Sequence, residues 1–159
     1  MALLPNRGPP LSATHQPLDP AVQQKLKQAL VDIAKGERLN MEMVQTVAQT
    51  HACSLAQVYA AMALDPNLVF DMQHDVLVAI CVGACQAQGA IENLETLLRL
   101  RQERLQAGHA SFEIVARHCL DMCAHSPVCL SRSAHGQAAH PRLKATEIPE
   151  IISTLCDPA

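Results

Sequence analysis

Seven cysteines in a chain of 159 residues call for a chemical explanation. Four of them form two C-x3-C pairs, Cys81 with Cys85 and Cys119 with Cys123. Four thiolates brought together from two loops bind zinc, or iron with inorganic sulfide, and the spacing leaves that choice open. In a reducing compartment so many cysteines point to metal or redox chemistry rather than to a disulfide framework. An odd count also leaves at least one thiol unpaired. The other three read as packing: Cys129 as a small buried apolar residue after Pro127-Val128, Cys53 and Cys156 as neighbours of helix ends. His118 and His125 flank the second pair. With four thiols at hand neither is needed as a ligand, and His125 is suited to a supporting hydrogen bond.

Little else in the chain carries chemistry. There is no Ser/His/Asp arrangement, phosphate-binding loop or paired-carboxylate motif, and Gly83 and Gly89 do not form the glycine pattern of a dinucleotide site. Arg99, Arg101, Glu103 and Arg104 read as a solvated helix face, and Met41, Met43, Met62 and Met72 as packing.

The thiols need elements to position them. Residues 76–80 (VLVAI) are a continuous aliphatic run, as in a central strand covered on both sides. A helix over 89–107 follows, with Ile91, Leu94, Leu97, Leu98 and Leu105 inward and Gly108 as its stop. Phe112, Ile114 and Ala116 alternate as a second strand. Strand, helix, strand is a βαβ unit, whose parallel strands lie about 5 Å apart and end at one edge of the sheet. Both cysteine pairs follow those strand ends. Gly83 lets the first loop curl tightly, and its small neighbours leave N–H groups free to point at sulfur. Residues 127–130 predict a short third strand, 131–141 a polar turn or hairpin loop. Thr146 is expected to cap a last helix, with Pro149 in its first turn and Ile148, Ile151, Ile152 and Leu155 on its apolar side.

Before this unit, residues 1–18 form a proline-rich leader with no hydrophobic period. Asp19-Pro20 opens a helix with Val22, Leu26, Leu30 and Ile33 on its apolar face, Gln23 off it, and Gly36 at its end. A second helix starts near Asn40. The third carries a capping box, Ser54 with Gln57, and Asp65-Pro66-Asn67 stops it. The organisation expected is therefore a flexible leader (1–18), a helical N-terminal unit (19–72) and an α/β domain (73–159).

Composition narrows the function classes. Apolar residues make up 49%, enough for a core, whereas aromatics are 2% and the net charge is −3. A stacking platform or basic stripe for nucleic acid is thus not expected. The longest apolar run, residues 76–85, falls well short of the roughly 20 needed to cross a bilayer. Residues 1–20 lack the charged start and apolar stretch of a secretory signal, so a cytoplasmic location is expected.

The second half resembles the thioredoxin-like [2Fe–2S] ferredoxins, and more closely the small iron–sulfur subunit of NADH-oxidising modules. Such subunits occur in respiratory complex I, NAD-reducing hydrogenases and NAD-dependent formate dehydrogenases. The likeness lies in residues 80–90 (ICVGACQAQGA), 119–128 (CLDMCAHSPV) and 147–155, and in the helical stretches 43–48 (MVQTVA) and 54–59 (SLAQVY). The first cysteine pair of the family is usually C-x4-C, one residue longer than here. Met62-Ala63-Leu64-Asp65 stands where the family has an aromatic pair. The resemblance implies an α/β fold, a small N-terminal helical bundle followed by a thioredoxin-like ferredoxin domain. It implies one [2Fe–2S] cluster on Cys81, Cys85, Cys119 and Cys123. It further implies single-electron exchange with a flavin- and NAD(H)-binding partner subunit, no flavin or NAD on this chain, no catalysis by the chain alone and no membrane insertion. The alternative is a cluster-free or zinc-bound structural or assembly subunit that keeps the fold and the partner interface.

Overall fold

The computed structural model describes residues 18–158; the leader expected over 1–18 lies, apart from Leu18, outside them. The described residues form a mixed α/β fold with five helices and one four-stranded sheet. Among the described residues, no helix is long and apolar enough to cross a membrane.

Helix α1 (Pro20–Ala34) starts where Asp19 accepts a hydrogen bond from the Ala21 N–H, with Pro20 in the first turn. Its buried face is Gln23, Leu26, Leu30 and Ala34, while Val22 is exposed, so the apolar stripe sits one residue round from the expected one. Gln23 can be buried because its amide donates to the Gln57 carbonyl at 3.3 Å. Asn40 caps α2 (Met41–Thr50), and the Ser54–Gln57 capping box opens α3 (Leu55–Met62) as expected. Helix α3 ends a turn before Asp65, whose carboxylate instead accepts from the Asn67 N–H.

Strand β1 (Leu77–Cys81) is followed by a 3-10 turn (Ala84–Gln88), helix α4 (Ala90–Gln106) and strand β2 (Glu113–Arg117). β1 and β2 pair in parallel, with Cys81 opposite Arg117. Strand β3 (Cys129–Ser133), entered through a cis Ser126–Pro127 peptide, lies antiparallel to β1, and β4 (Gly136–His140) antiparallel to β3. The sheet order is β2-β1-β3-β4. The stretch 131–141, expected to be a polar turn or hairpin loop, is thus a hairpin whose arms are ordered by β-ladder pairing. Helix α5 (Ile148–Cys156) closes the fold; Thr146 lies inside a 3-10 turn (Ala145–Glu147) and does not cap it.

One core joins all of this. Leu26, Leu30, Val58 and Tyr59 from the helices, Ile80 and Ile114 from the sheet, Leu94 and Leu97 from α4 and Ile152 from α5 belong to one buried cluster. Each such side chain contributes about 1.5–3 kcal/mol by leaving water. Helix α3 packs on α4 and β2, which fixes the helical unit to the sheet. The other sheet face, with Leu77, Ala79, Val115 and Leu130, is only half-buried. β1 is central as expected, but covered on one side.

Candidate metal centre

Parallel pairing of β1 and β2 brings both cysteine pairs to one sheet edge. Cys81 is the last residue of β1, and Cys119 follows β2 by two residues. The Val82 N–H donates to the Arg117 carbonyl at 2.7 Å, which continues the ladder into the two loops and holds them side by side. Cys81 and Cys85 are buried, at 2% and 1% exposure, whereas Cys119 and Cys123 are exposed.

Within the second pair the sulfurs are 3.8 Å apart. Within the first, Cys85 acts on Cys81 as a neighbouring thiol. Cys81 also donates its S–H to the His118 carbonyl at 3.4 Å, tying the two loops together. Burial, and then the Cys85 thiol, push the Cys81 thiol above its ordinary value; the backbone N–H groups of Gly83 and Leu120 pull against that rise. Cys123 is raised first by the Cys119 thiol beside it, and among the smaller causes is the charge of Cys81 across the site. Ionising one thiol therefore disfavours the next.

Backbone donors face the sulfurs. Besides Gly83 and Leu120 at Cys81, the Asp121 N–H donates to the Cys119 sulfur at 3.3 Å. Asp121 sits at φ 58°, a left-handed conformation that Asp tolerates better than most residues. Gly83 is required by close approach: a Cβ there would stand 2.2 Å from the His118 carbonyl oxygen. Gln86 anchors the turn after Cys85, its amide donating to the Val82 carbonyl and its oxygen accepting from the Leu18 N–H at 2.8 Å.

The four thiols stand as two pairs. Among the described residues, no three ligating side chains are grouped so as to hold a metal ion as they lie. The other cysteines lie apart in role. Cys129, in β3, is buried and its thiol is pushed up to about 12 by desolvation. Cys156, the last residue of α5, donates to the Ser111 carbonyl at 3.7 Å, and Cys53 is half-buried between α2 and α3. His125 is exposed, and its carbonyl accepts from the Arg142 N–H. What His118 gives the site is its main-chain oxygen, which its side-chain identity does not announce.

The arginine run on α4 is not a solvated face. Arg101 is buried, donates to the Phe112 carbonyl at 2.9 Å and lies 3.5 Å from the Glu113 carboxylate. Arg104 bonds the Ala110 carbonyl and the Asp157 carboxylate. Arg99 and Glu103, paired at 3.0 Å, are the part of the run that stays on the exposed surface as expected. Leu105, expected inward, is exposed. No family model matches the chain, and no curated protein matches it.

Proposed function

We propose that the chain is a cytoplasmic, non-catalytic electron-transfer subunit that holds one [2Fe–2S] cluster on Cys81, Cys85, Cys119 and Cys123. It exchanges single electrons with a flavin- and NAD(H)-binding partner subunit. The observation that carries the reading is the pair of thiol pairs at the ends of two parallel strands, with backbone N–H groups turned toward the sulfurs. The strand order β2-β1-β3-β4, built from a βαβ unit followed by ββα, supports a thioredoxin-like ferredoxin domain.

The donor set fits the group. A single tetrahedral ion on four thiolates needs every sulfur about 3.8 Å from the others, from a metal–sulfur distance of about 2.3 Å. The second pair has that spacing, its sulfurs standing 3.8 Å apart. Pairs suit a binuclear centre held by four cysteines, two to each iron. When bound, the cluster supplies a one-electron redox couple. The chain's own part is to set its environment: N–H groups of Gly83, Leu120 and Asp121 stabilise charge on sulfur, burial of the first pair keeps water away, and the exposed second pair leaves a face open to a partner.

Anaerobic preparation, iron and acid-labile sulfide assays, and visible and EPR spectra before and after dithionite test the proposal. About two iron per chain, a brown colour that bleaches and a spin-one-half signal on reduction are expected. Serine at any of the four positions lowers iron content. Colourless protein that stays folded and takes up no iron after reconstitution sinks the reading and leaves a structural subunit.

A further inference from the structure

Cys119 and Cys123 differ from the chain's other thiols. Both are exposed, whereas Cys81, Cys85, Cys129 and Cys156 are buried and Cys53 is half-buried. Their sulfurs are 3.8 Å apart, and a disulfide is about 2.05 Å long, so closing one needs an approach of roughly 1.8 Å. The segment between them can supply it. Residues 117–125 are exposed apart from Leu120 and Met122, and Asp121 at φ 58° turns the chain back so that both thiols face one another. The turn that carries Cys123 is closed by local bonds, His125 N–H to Met122 at 2.9 Å and Ser126 N–H to Cys123 at 3.3 Å. The first pair lacks this freedom, since Cys81 ends a paired strand and its thiol is engaged by the His118 carbonyl.

We infer that Cys119 and Cys123 are a redox-sensitive dithiol, closing to a reversible disulfide when no metal occupies them, and that the closed form refuses iron. The oxidant is a low-molecular-weight disulfide such as oxidised glutathione. One chain thiolate attacks it, forming a mixed disulfide and releasing one thiol. The second chain thiolate then attacks the chain sulfur of that bond, forming Cys119–Cys123 and releasing the second thiol. Two chain thiols lose two electrons and two protons, and the small disulfide gains them. The iron-refusing half of the inference rests on the proposed cluster; the disulfide itself does not.

The test uses the full metal-free chain, reduced and then exposed to oxidised glutathione, alkylated and cut with trypsin. Cleavage after Arg117 and Arg132 yields fragment 118–132, which holds Cys119, Cys123 and Cys129. It is expected lighter by two hydrogens with a single alkyl group, on Cys129, and a dithiol reductant restores three. Cys119→Ser is expected to leave Cys123 as a lasting mixed disulfide. Full alkylation of Cys119 and Cys123 after oxidation, or a bond made instead to Cys81, Cys85 or Cys129, overturns the inference. Iron and sulfide are then offered to both forms. Loading of the reduced chain, with loss of loading in the oxidised chain until reductant is added, supports the gate. Equal loading of both overturns it. Failure of both to load while the disulfide forms overturns the proposed cluster and leaves the redox-sensitive pair standing.

Discussion

At Gly83 the design of the site is decided by a missing side chain. The ideal Cβ position lies 2.2 Å from the His118 carbonyl oxygen, and that oxygen also accepts the Cys81 thiol. The partner atom is backbone, so it cannot swing aside as a flexible side chain would. Gly83→Ala must therefore push the two loops apart, at a cost of about 1–3 kcal/mol typical of an overfilled contact. The expected result is a lower urea midpoint with an unchanged slope, and lower iron uptake on reconstitution. Wild-type stability in this variant overturns the close-contact account. The sequence signals part of this: glycine between two cysteines implies a tight loop. It does not signal His118, whose contribution is main chain, nor the N–H groups of Leu120 and Asp121, which any residue but proline supplies. Arg101 misled for a related reason. A lone arginine in a charged run looks solvated until Phe112 and Glu113, a loop and a strand away, supply its partners.

Among the elements, legibility follows how local the cause is. Caps are local, so Asp19, Asn40 and Ser54 mark three helix starts that the structure shares. β4 (GQAAH) has no β-branched or aromatic residue and is exposed or half-buried throughout; its order comes from pairing with β3, which no window of its own sequence contains. Thr146 failed as a cap because a 3-10 turn carries the chain into α5 instead. The capping box of α3 is the local device with the widest reach, since α3 joins α1 and α2 to α4 and β2. In it the Gln57 N–H donates to the Ser54 hydroxyl at 3.2 Å and the Ser54 N–H to the Gln57 side chain at 2.9 Å. Ser54→Ala leaves the Gln57 N–H without that acceptor and is expected to cost about 1 kcal/mol, with Ser54→Thr restoring most of it. Urea unfolding of the two variants measures this. Equal loss in both indicates that packing at this buried site, rather than the cap, holds the helix start.

For the molecule as a whole, the point at issue is whether residues 19–72 and 73–159 are two bodies or one. A single core runs through both, and its junction contains the chain's one tyrosine. Tyr59 of α3 is 2% exposed, its ring stacks on Phe70 with centroids 5.3 Å apart, and the charges of Arg101 and Glu113 act on it from α4 and β2. With no tryptophan present, Tyr59 reports the junction alone while far-ultraviolet dichroism reports the helices throughout, from α1 to α5. One cooperative unit predicts that the two signals change together along a urea titration. Loss of the tyrosine signal well before the dichroism overturns the single-core account. Alkaline pH sharpens the test. Burial, the largest cause, pushes the Tyr59 hydroxyl far above its ordinary value near 10.0; Arg101 opposes the shift and Glu113 adds to it. A native group with a raised value keeps its proton where the unfolded chain has lost it, so folding stability is undiminished below about pH 10 and declines as pH rises above it. At about pH 11 the folded chain should absorb as phenol, and phenolate should appear only in step with unfolding. Phenolate absorbance in chain that keeps its full helical dichroism means that the helical unit parts from the sheet without unfolding.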